Sequence, residues 1–296
     1  SRVINMKKQR GTMINLFYIP AIILFCGFVV YPFLQGIRLS FMNWNGYSQN
    51  MKFVGLKNYI RLFQDANVKT AFVNTLLYGV VSTIIQNILG LAYALFLNMN
   101  FKCRTIVRTI IYMPVMIAPL IMGYIMYFFF QYDGGAINDI LIWLGKEPID
   151  FLVNSNAAIS IIVIVNSLQF VGVAMVIYLA GLQNVPAMYY EAAMLDGATF
   201  WDRFRHITLP LLMPAISSST ILNLIGGLKL FDLVMALTSG GPGFSTHSLS
   251  TLVTNQYFSA QSAGYASAIG IISFVLIMVI SNVVTKYFDK KEIDTQ

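Results

Sequence analysis

The stretch Asn184-Val185-Pro186-Ala187-Met188-Tyr189-Tyr190-Glu191-Ala192-Ala193-Met194-Leu195-Asp196-Gly197-Ala198-Thr199-Phe200-Trp201-Asp202-Arg203-Phe204-Arg205-His206-Ile207-Thr208-Leu209-Pro210 lies between two apolar blocks, with Pro214 close behind it. Its chemistry reads as two short helices. Asn184 is expected to cap the first, with Pro186 in the opening turn, where a missing N–H costs little. Gly197 supplies a left-handed stop. Thr199 with Asp202 three residues on makes a capping box for the second helix. Ala192, Ala193, Gly197 and Ala198 leave backbone bare at the corner, so another protein can approach it closely. Tyr189, Tyr190, Phe200, Trp201 and Phe204 are too apolar to stand uncovered in an aqueous loop. The segment reads as a docking surface.

What flanks it is lipid-soluble. The 296 residues are 57% hydrophobic and only 10% charged, where a soluble domain carries about 25% charged. Apolar residues come in blocks of the ~20-residue length that crosses a bilayer as a helix. Blocks at Ile14–Phe33, Ala71–Leu97, Ile106–Phe130, Ala157–Leu179, Leu211–Leu230 and Tyr265–Tyr287 predict about six spans. Met6 before Lys7 and Lys8 reads as a native start. The basic stretch Arg2–Arg10 precedes an apolar block with no small-residue cleavage site, so this block reads as a retained first span.

The net charge of +7 describes topology rather than a nucleic-acid patch, because no basic run is interleaved with exposed aromatics. Twelve of the nineteen Lys and Arg fall on one side: Arg2, Lys7, Lys8, Arg10, Lys102, Arg104, Arg108, Arg203, Arg205, Lys286, Lys290 and Lys291. That side is expected to be cytoplasmic, with both termini and the 184–209 loop. Residues 1–13 then form a cytoplasmic segment, 14–287 the membrane domain and 288–296 a cytoplasmic tail. Cys26 and Cys103 are poorly placed for a disulfide and match no metal-ligand spacing.

Gln86, Asn87, Asn166, Ser167, Gln169, Ser217–Thr220 and Asn223 lie inside the apolar blocks. At that depth polar groups must face protein or a water-filled cavity. The small-residue pairs Ala263/Ser267, Gly264/Ala268 and Ala266/Gly270 allow close helix contact at the start of the sixth block. Catalytic signatures are missing. The sole Gly-Lys pair, Gly145-Lys146, is followed by Glu147 rather than Ser or Thr, and neither H-E-x-x-H nor G-x-S-x-G occurs. Work done with ATP would need another chain to hydrolyse it.

The series Glu191-Ala192-Ala193-x-x-Asp196-Gly197-Ala198, with Phe204, Ile207, Pro210 and Pro214 at fixed intervals, resembles the EAA loop of ABC-importer permeases. Phe53-Val54-Gly55-Leu56-Lys57-Asn58-Tyr59, Asn74-Thr75, Phe231-Asp232 and Thr238-Ser239-Gly240-Gly241-Pro242 are similar to carbohydrate permeases of the MalF/UgpA type. The resemblance implies an all-α polytopic protein with the type I importer (MetI-like) permease fold, and a sugar as cargo. It implies Glu191, Ala192, Ala193, Asp196, Gly197 and Ala198 at the contact with an ATPase subunit, and Gly240, Gly241 and Pro242 at the contact with an external sugar-binding protein. The implied partners are a second homologous permease subunit (of the MalG type), two ATPase subunits and the binding protein. No cofactor is expected on this chain; ATP and magnesium would belong to the ATPase subunits.

A rise of 1.5 Å per residue sets Asn166 about 24 Å from the inner surface, with Asn223 at comparable height. Asn166, Gln169 and Phe170 share one helix face, and Asn223, Gly226, Gly227 and Leu230 share another. Amides suit hydroxyls, Phe can lie against the C–H face of a sugar, and glycines leave room. These seven residues are the expected substrate path. Lys229 and Asp232, three apart, are expected to form a salt bridge. A permease for a non-sugar solute stays open, as does an ion-driven carrier, for which Asp232 is the acidic residue nearest a span interior.

Overall fold

The computed structural model describes residues 18–293. Residues 1–13, the Met6 start, the beginning of the first span at Ile14 and the last residues of the 288–296 tail lie outside the described residues. The described residues are 76% helix and 1% strand, in two compact units.

The first unit comprises the residues up to Gln64 together with Val253–Ile271. Its leading helix, α1 (Tyr18–Ser40), turns π-helical over Cys26–Val30. Two short strands follow, β1 (Met42–Asn43) and β2 (Lys52–Phe53), antiparallel with Met42 opposite Phe53. Helix α2 (Lys57–Gln64) packs beneath them. Asn58 holds this corner, donating from Nδ2 to the carbonyls of Ser40 (2.8 Å) and Met42 (2.9 Å). Tyr59 Oη pairs with Ser40 Oγ at 2.7 Å. Within this unit Ala263, Ala266 and Ala268 are buried, and a Cβ on Gly264 would collide with the Met42 carbonyl. Gly264 thus permits the close approach that its spacing predicts, to β1 and the end of α1.

The second unit, Asp65–Leu252 with the chain from Ile272, is built on α3 (Ala66–Asn98) and α7 (Ser155–Gln183). Asp65 caps α3 by accepting from Asn67 N, and Asn154 caps α7 by accepting from the amides of Asn156 and Ala157. Between them run α4 (Arg104–Met116), α5 (Pro119–Phe130) and α6 (Ala136–Trp143). After α7 come α8 (Ala187–Leu195), α9 (Phe200–Leu211), α10 (Met213–Leu228), α11 (Asp232–Leu237) and α12 (Leu249–Thr254). The last helix, α13 (Ala263–Ile293), contributes residues to both units.

Tyr18–Ser40, Ala66–Asn98, Ser155–Gln183 and Ala263–Lys291 are long and apolar enough to span a bilayer. Two further apolar helix pairs bend sharply at a break. The expected straight helix Ile106–Phe130 is two pieces, α4 and α5, bent by 96°. Pro119 has no N–H for the ladder, and it drives Ala118 out of the helical region to ψ 135°. The expected fifth span, Leu211–Leu230, is close to α10 (Met213–Leu228); the elbow helix α9 enters it at 66°, with Pro210 and Pro214 on either side of the bend. Counting apolar residues does not register these missing donors.

Lipid is as apolar as leucine, so helix association here rests on close packing and interhelical hydrogen bonds. Both are present. A Cβ on Gly90 would run into Ala174, which brings α3 and α7 into backbone contact. Tyr178 Oη donates to Asn87 Oδ1, and Gln86 Nε2 donates to the Asn166 carbonyl at 3.0 Å. One buried cluster gathers Tyr78, Ile162, Leu233 and Leu237; another gathers Leu97, Met175, Tyr178 and Leu212.

Candidate functional site: a cavity and a docking elbow

Helices α3, α7 and α10 and the α10–α11 link line a half-open cavity of about 290 Å³. Small-molecule sites begin at ~300 Å³, and a water in the liquid occupies ~30 Å³. The space is thus at the lower edge of the small-molecule range. Gln86 lines it from α3, Asn166, Phe170 and Val173 from α7, and Leu222, Asn223, Gly226 and Gly227 from α10. Pro119 and the link residues Lys229, Leu230, Phe231 and Asp232 complete the wall.

Six of the seven residues expected on a substrate path, Asn166, Phe170, Asn223, Gly226, Gly227 and Leu230, meet at this cavity. Gln169 is not among them. It is 1% exposed and its Nε2 donates to the Ile117 carbonyl at 2.9 Å. There it satisfies an acceptor left open where α4 ends before Pro119. Val173 sits one turn beyond Phe170 and seven residues from Asn166, so the stripe that contains Asn166 could have revealed it. Gln86 was visible as a polar residue in an apolar block, but its place in the wall depends on how α3 and α7 register.

The two α10 glycines differ. A Cβ on Gly226 would meet nothing within 4 Å, whereas one on Gly227 would lie 2.8 Å from the Tyr78 carbonyl. Gly226 leaves space for the cavity, and Gly227 brings α10 against α3. Asn223 Nδ2 donates to Ser219 Oγ at 3.3 Å, so one of the serines acts as local glue. The expected Lys229–Asp232 salt bridge does not form; among the described residues no ion pair joins them. Helix α10 ends at Leu228, and the backbone turns at Phe231 (φ −130°, ψ −64°) before α11 begins. The two residues are therefore not one turn apart on a single helix.

The elbow follows its sequence chemistry except at its start. Asn184 does not cap α8. It closes α7, its N–H donating to the carbonyls of Gly181 and Leu182, while Pro186 occupies the cap of α8 without a side-chain bond. Gly197 takes φ 77°, the left-handed conformation that glycine adopts freely. The capping box is complete: Asp202 N donates to Thr199 Oγ1, and Thr199 N donates to Asp202 Oδ2 at 2.9 Å. The Thr199 hydroxyl, then its amide, hold the Asp202 carboxyl below the usual range. Tyr190 Oη and Thr208 Oγ1 link α8 to α9 at 3.1 Å. Glu191, Ala192, Asp196 and Gly197 are exposed, and Ala193 and Ala198 half-buried. Leu195 is 90% exposed and Trp201 71%, apolar side chains left uncovered among the described residues.

The loop after α11 is tied to α3. Asn74 Nδ2 donates to the carbonyls of Ser245 (2.6 Å) and His247 (3.0 Å), and Tyr78 Oη to that of Thr246 (2.8 Å). Thr75 Oγ1 accepts from Leu249 N. Gly240 is buried beneath the His247 ring, which leaves Gly241, Pro242 and Gly243 as the accessible tip.

Long apolar helices around a cavity lined in part by amide residues fit a membrane transport subunit. Residues 86–293 match the family described as binding-protein-dependent transport system inner membrane component, and the chain belongs to it. It is 33% identical over 273 residues to the trehalose/maltose transport system permease protein MalF of Thermococcus litoralis, covering 92% of each chain. It is 34% identical over 288 residues to a probable starch degradation products transport system permease protein, AmyD, of Thermoanaerobacterium thermosulfurigenes, covering 97% of each. Among solved structures, a subunit of a bacterial ABC transporter involved in the import of the acidic polysaccharide alginate superposes with TM-score 0.83. It is 25% identical, with 98% of this chain and 99% of that one covered.

Proposed function

We propose that this chain is a permease subunit of an ATP-driven sugar importer and forms half of its translocation path. The observation that carries the reading is the cavity, where Asn166 and Asn223 line one space beside Phe170. Amides donate to and accept from hydroxyls, and the aromatic ring lies against the C–H face of a pyranose. The names of the relatives, which transport trehalose, maltose and starch degradation products, support sugar as the cargo class.

The elbow couples this path to ATP hydrolysis. Glu191, Ala192, Ala193, Asp196, Gly197 and Ala198 present an exposed corner, and the uncovered Leu195 and Trp201 give it apolar area to bury. Two ATPase subunits carry ATP and magnesium; one seats this elbow and the other its counterpart on a second, homologous permease of the MalG type. Closure of the ATPases moves the elbows and opens the path alternately to the two sides. An external sugar-binding protein docks at the Gly240–Gly241–Pro242 loop, with Gly241 and Pro242 at its accessible tip. A solved relative in complex with an alginate pentasaccharide-bound periplasmic protein supports such a partner. Both termini and the elbow face the cytoplasm, in keeping with the bias of Lys and Arg toward that side.

The test is uptake by the assembled complex in proteoliposomes. Asn166→Ala and Asn223→Ala are expected to cut ATP-dependent sugar uptake at least tenfold while all subunits still co-purify. Uptake at the wild-type rate in both variants rejects the cavity as the path. Uptake driven by a proton or sodium gradient without ATP rejects the importer reading.

A further inference from the structure

The α10–α11 link brings Lys229 and Asp232 into the cavity wall on either side of Phe231. Both side chains are exposed, and among the described residues no ion pair joins them. Such a pair in an apolar protein would ordinarily neutralise itself or reach for the headgroups. Here both residues line the same space as Gln86, Asn166 and Asn223, although the Gln86 amide is spent on the Asn166 carbonyl. The lining thus offers an ammonium that only donates, a carboxylate that only accepts, and amides that do both. Its formal charge sums to zero, since Lys229 and Asp232 are the charged residues of the wall.

We propose that Lys229 and Asp232 are specificity-determining residues of the cavity, recognising a neutral polyhydroxylated ring, with Asp232 accepting from its hydroxyls and Lys229 donating to them. Bonds with one ionised partner are shorter and roughly twice as strong as those between neutral groups, so the two side chains outweigh the amides in selecting the cargo. Phe170 and Phe231 cover the apolar faces of the ring. A sugar acid would bring its carboxylate toward Asp232, and the neutral lining gives no net attraction to offset that. The inference rests on the cavity being the solute path.

The assembled complex, with its ATPase subunits and binding protein in proteoliposomes, tests it. The probe is whichever of radiolabelled maltose, trehalose, lactose and sucrose the wild-type complex takes up fastest. Asp232→Asn is expected to lower uptake about tenfold and Lys229→Gln several-fold. ATP hydrolysis stimulated by the binding protein, and subunit stoichiometry, are expected to stay at wild-type levels. Asp232→Glu, which keeps the acceptor charge, is expected to recover part of the loss. The exchanged variant Lys229→Asp/Asp232→Lys is expected to remain impaired, whereas a purely structural ion pair would recover. Uptake within twofold of wild type in Asp232→Asn and Lys229→Gln, with Asn166→Ala impaired, overturns this inference and leaves the cavity as the path. Wild-type uptake in all three overturns both. Recovery in the exchanged variant, or parallel loss of ATP hydrolysis and assembly in Asp232→Asn, also overturns it.

Discussion

Gly227 of α10 rests on the Tyr78 carbonyl of α3, so close that a Cβ on the glycine would lie 2.8 Å from that oxygen. One residue earlier, Gly226 faces open space. The neighbouring glycines should therefore respond to alanine in opposite ways. Gly227→Ala must push α10 off α3, an overpacking cost of about 1–3 kcal/mol. It is expected to lower both the melting temperature in detergent and the yield of assembled complex. Gly226→Ala should leave stability unchanged and slow uptake by narrowing the cavity. Equal stability of the two variants would show that the α3–α10 contact does not hold the bundle.

Asn74 anchors the loop after α11 through two bonds from one amide group, to the carbonyls of Ser245 and His247. Replacement by alanine strands acceptors in a buried setting, which costs about 1–3 kcal/mol. Asn74→Ala is expected to lower the melting temperature and to expose the 239–248 loop to limited proteolysis. A loop protected as in the wild type would mean that the α3 contact is dispensable.

The His247 imidazole lies outside the spans, between α11 and α12, 3% exposed. Burial pushes its pKa below the ordinary value of about 6.5. The unfolded chain therefore binds this proton more readily than the folded one. Its contribution to stability is complete above pH ~6.5 and falls as the pH drops through that value toward the folded pKa. Thermal melts of the wild type are expected to weaken between pH 7.5 and 5.5, with His247→Gln flattening that slope. An equal slope in the variant would assign the acid sensitivity to other groups.

Much of the elbow was legible because its signals are local. The Thr199–Asp202 box and the left-handed Gly197 depend on residues within one turn of each other. Asn184 misled because the same residue chemistry serves at either helix end, and the choice falls to α7, which reaches Gln183. The cavity was legible in outline, since helical spacing groups Asn166 with Phe170 and Asn223 with Gly226. Gln169 shares that spacing, yet it is drawn to the Ile117 carbonyl by the break before Pro119. The Asn74 anchor was not legible as a contact, because its partner carbonyl at Ser245 lies 171 residues away. The separation of Lys229 from Asp232 depends on a backbone turn at Phe231 that residue spacing does not contain.

The proposed coupling requires that the elbow from Ala187 to His206 seat a separate ATP-hydrolysing subunit. The most direct measurement is site-specific photo-crosslinking from position 195 in native membranes, since Leu195 is 90% exposed. One dominant adduct is expected, with a chain that hydrolyses ATP, weakened when Gly197→Asp strains the left-handed turn. An adduct only with lipid or with an external protein, or labelling of position 195 by a membrane-impermeant reagent added to intact cells, would contradict it.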